Sequence, residues 1–132
     1  MGKSIHHIAI IVHNLDAALT LYRDVLGLEV IDRWQVPQDS VEIVSLATDS
    51  GQIELLMPLD SESSAARFLE KRGEGMHNVC LAVDDIEAEM ERLLASGARL
   101  LSQEPVVNAH GTRLVFVHPK STHGVLLELY ED

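Results

Sequence analysis

One motif occurs twice in this chain, and the duplication limits the possible folds more than any other property. Ile5-His6-His7-Ile8-Ala9-Ile10-Ile11-Val12 is followed by a stretch at helical spacing that stops at Gly27. Met76-His77-Asn78-Val79-Cys80-Leu81-Ala82-Val83 is followed by another, which stops at Gly97. Each copy later reaches an apolar run with one carboxylate inside it, Gln52-Ile53-Glu54-Leu55-Leu56 and Leu126-Leu127-Glu128-Leu129-Tyr130. Superposing the copies sets His7 on Asn78 and Glu54 on Glu128. A repeat of about half a chain governs the architecture, because a single copy does not bury its own apolar face.

Local patterns fill in each copy. Ile5–Val12 is rich in β-branched residues and reads as a strand, with His7, Ala9 and Ile11 on one face. Asn14 or His13 caps a helix whose apolar positions are Leu15, Ala18, Leu19, Tyr22, Val25 and Leu26. Strands are expected over 28–34, 41–48 and 52–57, with a loop at 36–40 and a tight turn at Asp49-Ser50-Gly51. The connector carries a short helix over 64–71. In the second copy, strands are expected over 76–83, 98–102, 112–118 and 125–131, with a loop over 104–111. Asp84 or Asp85 caps a helix with Ile86, Met90, Leu93 and Leu94 on its apolar side. The expected fold class is therefore α+β: two tandem βαβββ modules forming a half-barrel sheet around a cavity. One domain spans 1–132, with module one about 4–58, a connector over 59–75 and module two about 76–132.

Composition excludes several classes. At 132 residues and 46% hydrophobic, the chain is long and apolar enough for one packed core. No apolar run approaches the length that spans a bilayer, and Met1-Gly2-Lys3-Ser4 lacks the layout of a secretory signal. A single cysteine, Cys80, leaves no internal disulfide framework and fits a reducing cytoplasm. The net charge of −11 argues against nucleic acid or an anionic membrane as partner.

Four positions stand out. His7 shares its strand face with small Ala9, and Asn78 shares one with Cys80 and Ala82. Glu54 and Glu128 lie inside apolar strands, where an uncompensated carboxylate is costly. Two such carboxylates facing an imidazole are compensated best by a divalent cation such as Mn, Co, Ni, Zn or Fe. A surface or structural place is expected for His6, His13, His77, His110, His118 and His123. Cys80 reads as a small cavity-lining hydrophobe.

These features resemble the vicinal-oxygen-chelate (glyoxalase/bleomycin-resistance/dioxygenase) superfamily and, within it, the methylmalonyl-CoA epimerase family. The resemblance runs nearly end to end. It is carried by His6-His7-Ile8-Ala9-Ile10, Tyr22-Arg23-Asp24-Val25-Leu26-Gly27-Leu28, Ile53-Glu54-Leu55-Leu56, Phe68-Leu69-Glu70-Lys71, Gly73-Glu74-Gly75-Met76-His77 and His118-Pro119-Lys120-Ser121. It implies a divalent metal (Co, Mn, Zn, Ni or Mg) held at the positions of His7, Glu54, Asn78 and Glu128. Where the family usually has a second His after His77, this chain has Asn78, an oxygen donor that moves the preference towards Mn or Mg. Where the family often has Glu, Gln38 stands here, and the nearby carboxylates are Asp39 and Glu42.

The implied reaction is epimerisation of methylmalonyl-CoA, or a close 2-substituted acyl-CoA, by α-proton abstraction through a metal-stabilised enolate. Glu128, with Glu54 or Glu42, then supplies the acid–base pair. Lys120, Gln38 and Arg113, with Lys71 and Arg72, are candidate substrate contacts, the cations for coenzyme A phosphates. A cytoplasmic homodimer is implied. The other readings are a glyoxalase-like isomerase or lyase of the same superfamily, and a metal-poor binding protein of bleomycin-resistance type.

Overall fold

The computed structural model describes residues 3–132. The chain is α+β, as the pattern of periods predicts. It divides into two compact units, one comprising Ile8–His77 and the other comprising Asn78–Asp132 together with the chain up to His7.

In the first unit, strands β2 (Val30–Val36), β3 (Val41–Ala47) and β4 (Gln52–Pro58) follow one another in the sheet, with β1 (Ser4–Ile11) next to β4. β3 pairs antiparallel with both neighbours, and its register sets Ser45 against Glu54 and Val44 against Leu55. Alternation then sorts the side chains. Val44, Leu46 and Leu55 pack with Val12 against Leu15 and Leu19 of helix α1 (Leu15–Leu19). The other face packs Ile11, Val41 and Leu56 against Ala65 and Leu69 of helix α2 (Ser64–Arg72). Asn14 caps α1 by accepting from the Ala17 N–H, as expected. The predicted single helix to residue 26 instead widens into a π-helical turn over Thr20–Val25, where the Leu26 N–H reaches the Leu21 carbonyl five residues back.

The second unit repeats the order: β5 (Gly75–Val83), β8 (Leu127–Glu131), β7 (Arg113–Val117) and β6 (Val106–Val107). β5 runs parallel to β8, with Cys80 opposite Glu128, and β7 runs antiparallel to β8, with Phe116 opposite Glu128. Helix α3 (Ile86–Ala95) is capped by Asp85 and lays Ile86 and Met90 on Val83, Val115 and Leu129. One expectation fails here. Residues 98–102 do not form a strand; Leu100 makes only an isolated bridge to Val117. The paired strand is β6, inside the stretch expected to be a loop. Single hydrogen bonds, His118 N–H to the Arg99 carbonyl and Leu101 N–H to the Phe116 carbonyl, tether the segment without a continuous ladder. Among the described residues, no helix is long and apolar enough to cross a membrane.

Candidate active site

The site lies in the second unit, on the sheet face opposite α3. Alternation along β5 and β8 sends Val79, Leu81, Val83, Leu127 and Leu129 to one side and Asn78, Cys80, Ala82, Glu128 and Tyr130 to the other. Leu81, Val83, Leu127 and Leu129 of the first set supply apolar contacts with α3. The second set faces away from that packing.

Glu128 is at its centre. It is buried, and so are His7 and Asn78. Its Oε1 lies 3.2 Å from His7 Nε2 and accepts a hydrogen bond from Asn78 Nδ2 at 3.1 Å. A carboxylate removed from water is costly unless hydrogen-bond donors replace the lost hydration. Two nitrogens on one oxygen do that here, and they come from both ends of the chain's duplicated motif.

His6 packs against this cluster. Its Nδ1 is 2.8 Å from His7 Nδ1. Its ring stacks on Tyr130 with centroids 4.7 Å apart, and His7 meets the same ring at 5.5 Å, edge-on. Burial pushes the His6 imidazole below its ordinary range, helped by neighbouring His7, while Glu128 and Asp132 pull the other way. Strict alternation assigns adjacent residues to opposite faces, so the sequence carried no signal for the pairing of His6 with His7. Tyr130 was visible only as a face-mate of Glu128. Its hydroxyl accepts from Asn108 Nδ2 at 2.9 Å, and Asn108 Oδ1 in turn accepts from the N–H groups of His110 and Thr112. The loop after β6 is thereby tied to the aromatic ring on which both histidines rest.

Cys80 is fully buried, and one ligand atom from each of His6, His7 and Cys80 lies within 4.8 Å of the others. Nitrogen, sulfur and carboxylate donors are thus all present on one face. That donor set fits a divalent cation, with His7, Asn78 and Glu128 supplying the nitrogen and oxygen side.

The remaining sequence-predicted residues lie elsewhere. Glu54 is buried on β4 in the first unit, opposite Ser45, whose hydroxyl donates to Gln52 Oε1 at 2.7 Å. Glu42 shares its strand face with Val44 and Leu46, the face that packs on α1, and Glu54 is on the other. Arg33 Nε donates to Glu42 at 2.6 Å and Arg33 Nη1 donates to Asp16 at 3.1 Å. Arg113 is held by Glu87 at 2.8 Å and Glu131 at 3.1 Å, on the face of β7 that carries Val115 towards α3. Gln38 is exposed in a 3₁₀ turn, and Lys120 is exposed in the 3₁₀ turn Pro119–Ser121. Arg72 sits over the Phe68 ring, 5.2 Å from its centroid, and Phe68 also stacks on His77.

Residues 6–116 match the glyoxalase/bleomycin resistance protein/dioxygenase superfamily. The chain is 42% identical over 127 residues to the ethylmalonyl-CoA/methylmalonyl-CoA epimerase of Cereibacter sphaeroides, covering 95% of each. It is 40% identical over 126 residues to the mitochondrial methylmalonyl-CoA epimerase of Mus musculus, covering 95% of this chain and 71% of that protein. It is also similar to a solved structure of a Streptomyces coelicolor methylmalonyl-CoA epimerase variant in complex with 2-nitronate-propionyl-CoA. The TM-score is 0.91 and the identity 33%, over 99% of this chain and 96% of that one.

Proposed function

The chain belongs to the glyoxalase/bleomycin resistance protein/dioxygenase superfamily, and from that premise we propose that it epimerises methylmalonyl-CoA or a close 2-substituted acyl-CoA. The observation that carries the reading is the buried Glu128 carboxylate with His7 Nε2 and Asn78 Nδ2 on one oxygen. The second oxygen of Glu128 is the proton acceptor in this proposal. The C–H between a thioester and a carboxylate is a weak acid, and a fixed carboxylate at hydrogen-bond distance contributes roughly 10²–10⁴-fold by taking its proton. His7 and Asn78 orient Glu128 and exclude water from its inner oxygen. The epimerase relatives support the substrate class, and so does the acyl-CoA ligand of the Streptomyces structure. A nitronate shares with an enolate a planar carbon and an oxygen-borne negative charge, which is the charge distribution that α-proton removal creates.

His7, Asn78 and Glu128 would hold a divalent metal. Such an ion supplies electrostatic stabilisation of negative charge on the thioester oxygen. Glu54 is the second acid–base carboxylate in this proposal, in preference to Glu42, because Glu42 is engaged by Arg33 on the α1 face. Lys120 and Gln38, both exposed, remain the proposed contacts for the coenzyme A moiety. Arg113, paired with Glu87 and Glu131, is the third proposed contact. We keep the division into modules 4–58 and 76–132, and a cytoplasmic homodimer, within the proposal. Exposed Leu21, Val25, Leu26 and Ile31 support a second copy as partner.

The test is solvent deuterium incorporation at the α-carbon of methylmalonyl-CoA, followed by NMR with and without added Mn²⁺, Co²⁺ or Zn²⁺. Exchange with inversion supports the reading; substrate recovered without deuterium under every metal condition overturns it.

A further inference from the structure

We propose that His6, His7 and Cys80 form a binding site for a thiophilic divalent cation of the Zn²⁺ class, distinct from the oxygen-rich donor set above. One ligand atom from each of the three lies within 4.8 Å of the others. His7 is the hinge of the proposal, because its two ring nitrogens face different partners. Nε2 is 3.2 Å from Glu128 Oε1, while Nδ1 is 2.8 Å from His6 Nδ1. A histidine that binds a metal through one nitrogen commonly donates its other N–H to a carboxylate, which fixes both tautomer and ring orientation. Glu128 holds His7 in that way. With the proton on Nε2, the lone pair is on Nδ1, on the side of His6.

Cys80 completes the set. Register places it directly opposite Glu128 on the parallel pair β5–β8, and it is fully buried. Two imidazoles and a thiolate are the donors of Zn²⁺ and its softer neighbours rather than of Mg²⁺ or Ca²⁺. Zinc–nitrogen and zinc–sulfur bonds are about 2.0–2.3 Å and the coordination is tetrahedral. In tetrahedral geometry such donors are about 3.6 Å apart, so a span of 4.8 Å closes by about an ångström through side-chain rotation, and the His6–His7 nitrogen contact opens to admit the ion. On binding, the Cys80 thiol releases its proton to solvent and its sulfur lone pair forms the bond.

The donor types also reverse an expectation. Asn78 in place of an imidazole pointed to a harder cation, Mn or Mg. Cys80, two residues on and on the same strand face, points to a softer one. A neutral imidazole carries a single proton, so His7 serves either Nε2 or Nδ1 to a metal, not both. A cation at the thiolate site therefore displaces one bound through Nε2. This competition rests on the proposed oxygen-rich site; the thiolate site itself does not.

Co²⁺ titrated into the metal-free protein tests the proposal. The chain contains one cysteine, so a thiolate-to-cobalt charge-transfer band in the near ultraviolet has one possible source. We expect the band in the wild type and in Glu54→Gln, and its loss in Cys80→Ser. Zn²⁺ affinity, read by competition with a chromophoric chelator, falls in Cys80→Ser by at least the ~10–100-fold seen when even an outer partner of a metal ligand is removed. His6→Asn weakens the band in the same direction. A wild-type cobalt spectrum without a near-ultraviolet band overturns the proposal, whether or not Cys80→Ser folds. Failure of the epimerase reading shows separately, in deuterium exchange with Mn²⁺, and leaves the cobalt spectrum untouched.

Discussion

Glu54 and Glu128 occupy matching places in two units built on one plan. β4 stands between β3 and β1 in the first unit, and β8 stands between β7 and β5 in the second. Helices α1 and α3 are both capped by a side-chain carbonyl or carboxylate oxygen, from Asn14 and Asp85. Both lay their apolar side on one sheet face. The polar surroundings differ. Glu54 is opposite Ser45, which is bonded to Gln52, in a neighbourhood of hydroxyl and amide groups. Glu128 is opposite Cys80 and Phe116 and is held by His7 and Asn78, with His6 and Tyr130 behind. The apolar period builds the scaffold in both units, whereas a few residues on the other face decide which unit gathers the imidazoles and the thiol.

The largest effect that would sharpen this comparison is on Glu128. Glu128→Gln keeps the shape and removes the base, and α-proton exchange should fall by roughly 10²–10⁴-fold. Exchange at wild-type rate in that variant would remove Glu128 from the mechanism. Glu54→Gln should cost exchange less, about 10–100-fold, because exchange can proceed through Glu128 alone, while inversion, which needs both carboxylates, falls by roughly 10²–10⁴-fold. Equal losses in the two variants, measured by the same NMR assay, would make the carboxylates functionally equivalent.

The scaffolds should respond alike. Leu55 and Leu129 are buried at corresponding places, and truncation of either to Ala should cost about 2–5 kcal/mol in denaturant unfolding. A loss confined to one of the two variants would break the structural equivalence. Removing the caps is milder: Asn14→Ala and Asp85→Ala should each cost about 1 kcal/mol. The smallest effect concerns Asp60. Backbone N–H groups of Glu62 and Ser63, with the Ser40 hydroxyl, hold its carboxyl below the ordinary range. The unfolded chain then binds a proton more readily than the folded one. The stabilisation is present above the ordinary carboxylate range and is lost as pH falls through the folded value. Asp60→Asn should accordingly lose less stability than the wild type between about pH 5 and pH 3, read from the midpoint of thermal unfolding.

How far the sequence reaches depends on the kind of interaction. The strand–helix order, both N-caps and the faces of β1, β4, β5 and β8 follow from periods of 2 and 3.6, which are local properties. The burial of His7, Asn78, Glu54 and Glu128 followed from the same periods. The swap of 98–102 for β6 did not, because Leu100 and Val106 are equally strand-like and only the partners on β7 choose between them. The π turn after α1 was hidden for a similar reason. Apolar spacing at Tyr22, Val25 and Leu26 fits a regular helix as well as it fits the π turn.

By itself, then, the amino-acid sequence determined the duplicated scaffold and the polar residues on its inward strand faces, since both are written in alternation along short segments. Only the tertiary structure set an arginine on Glu42 and two nitrogens on one oxygen of Glu128. It alone brought His6 and Cys80 to His7. Contacts between side chains on different strands depend on register and local twist, which no single segment encodes.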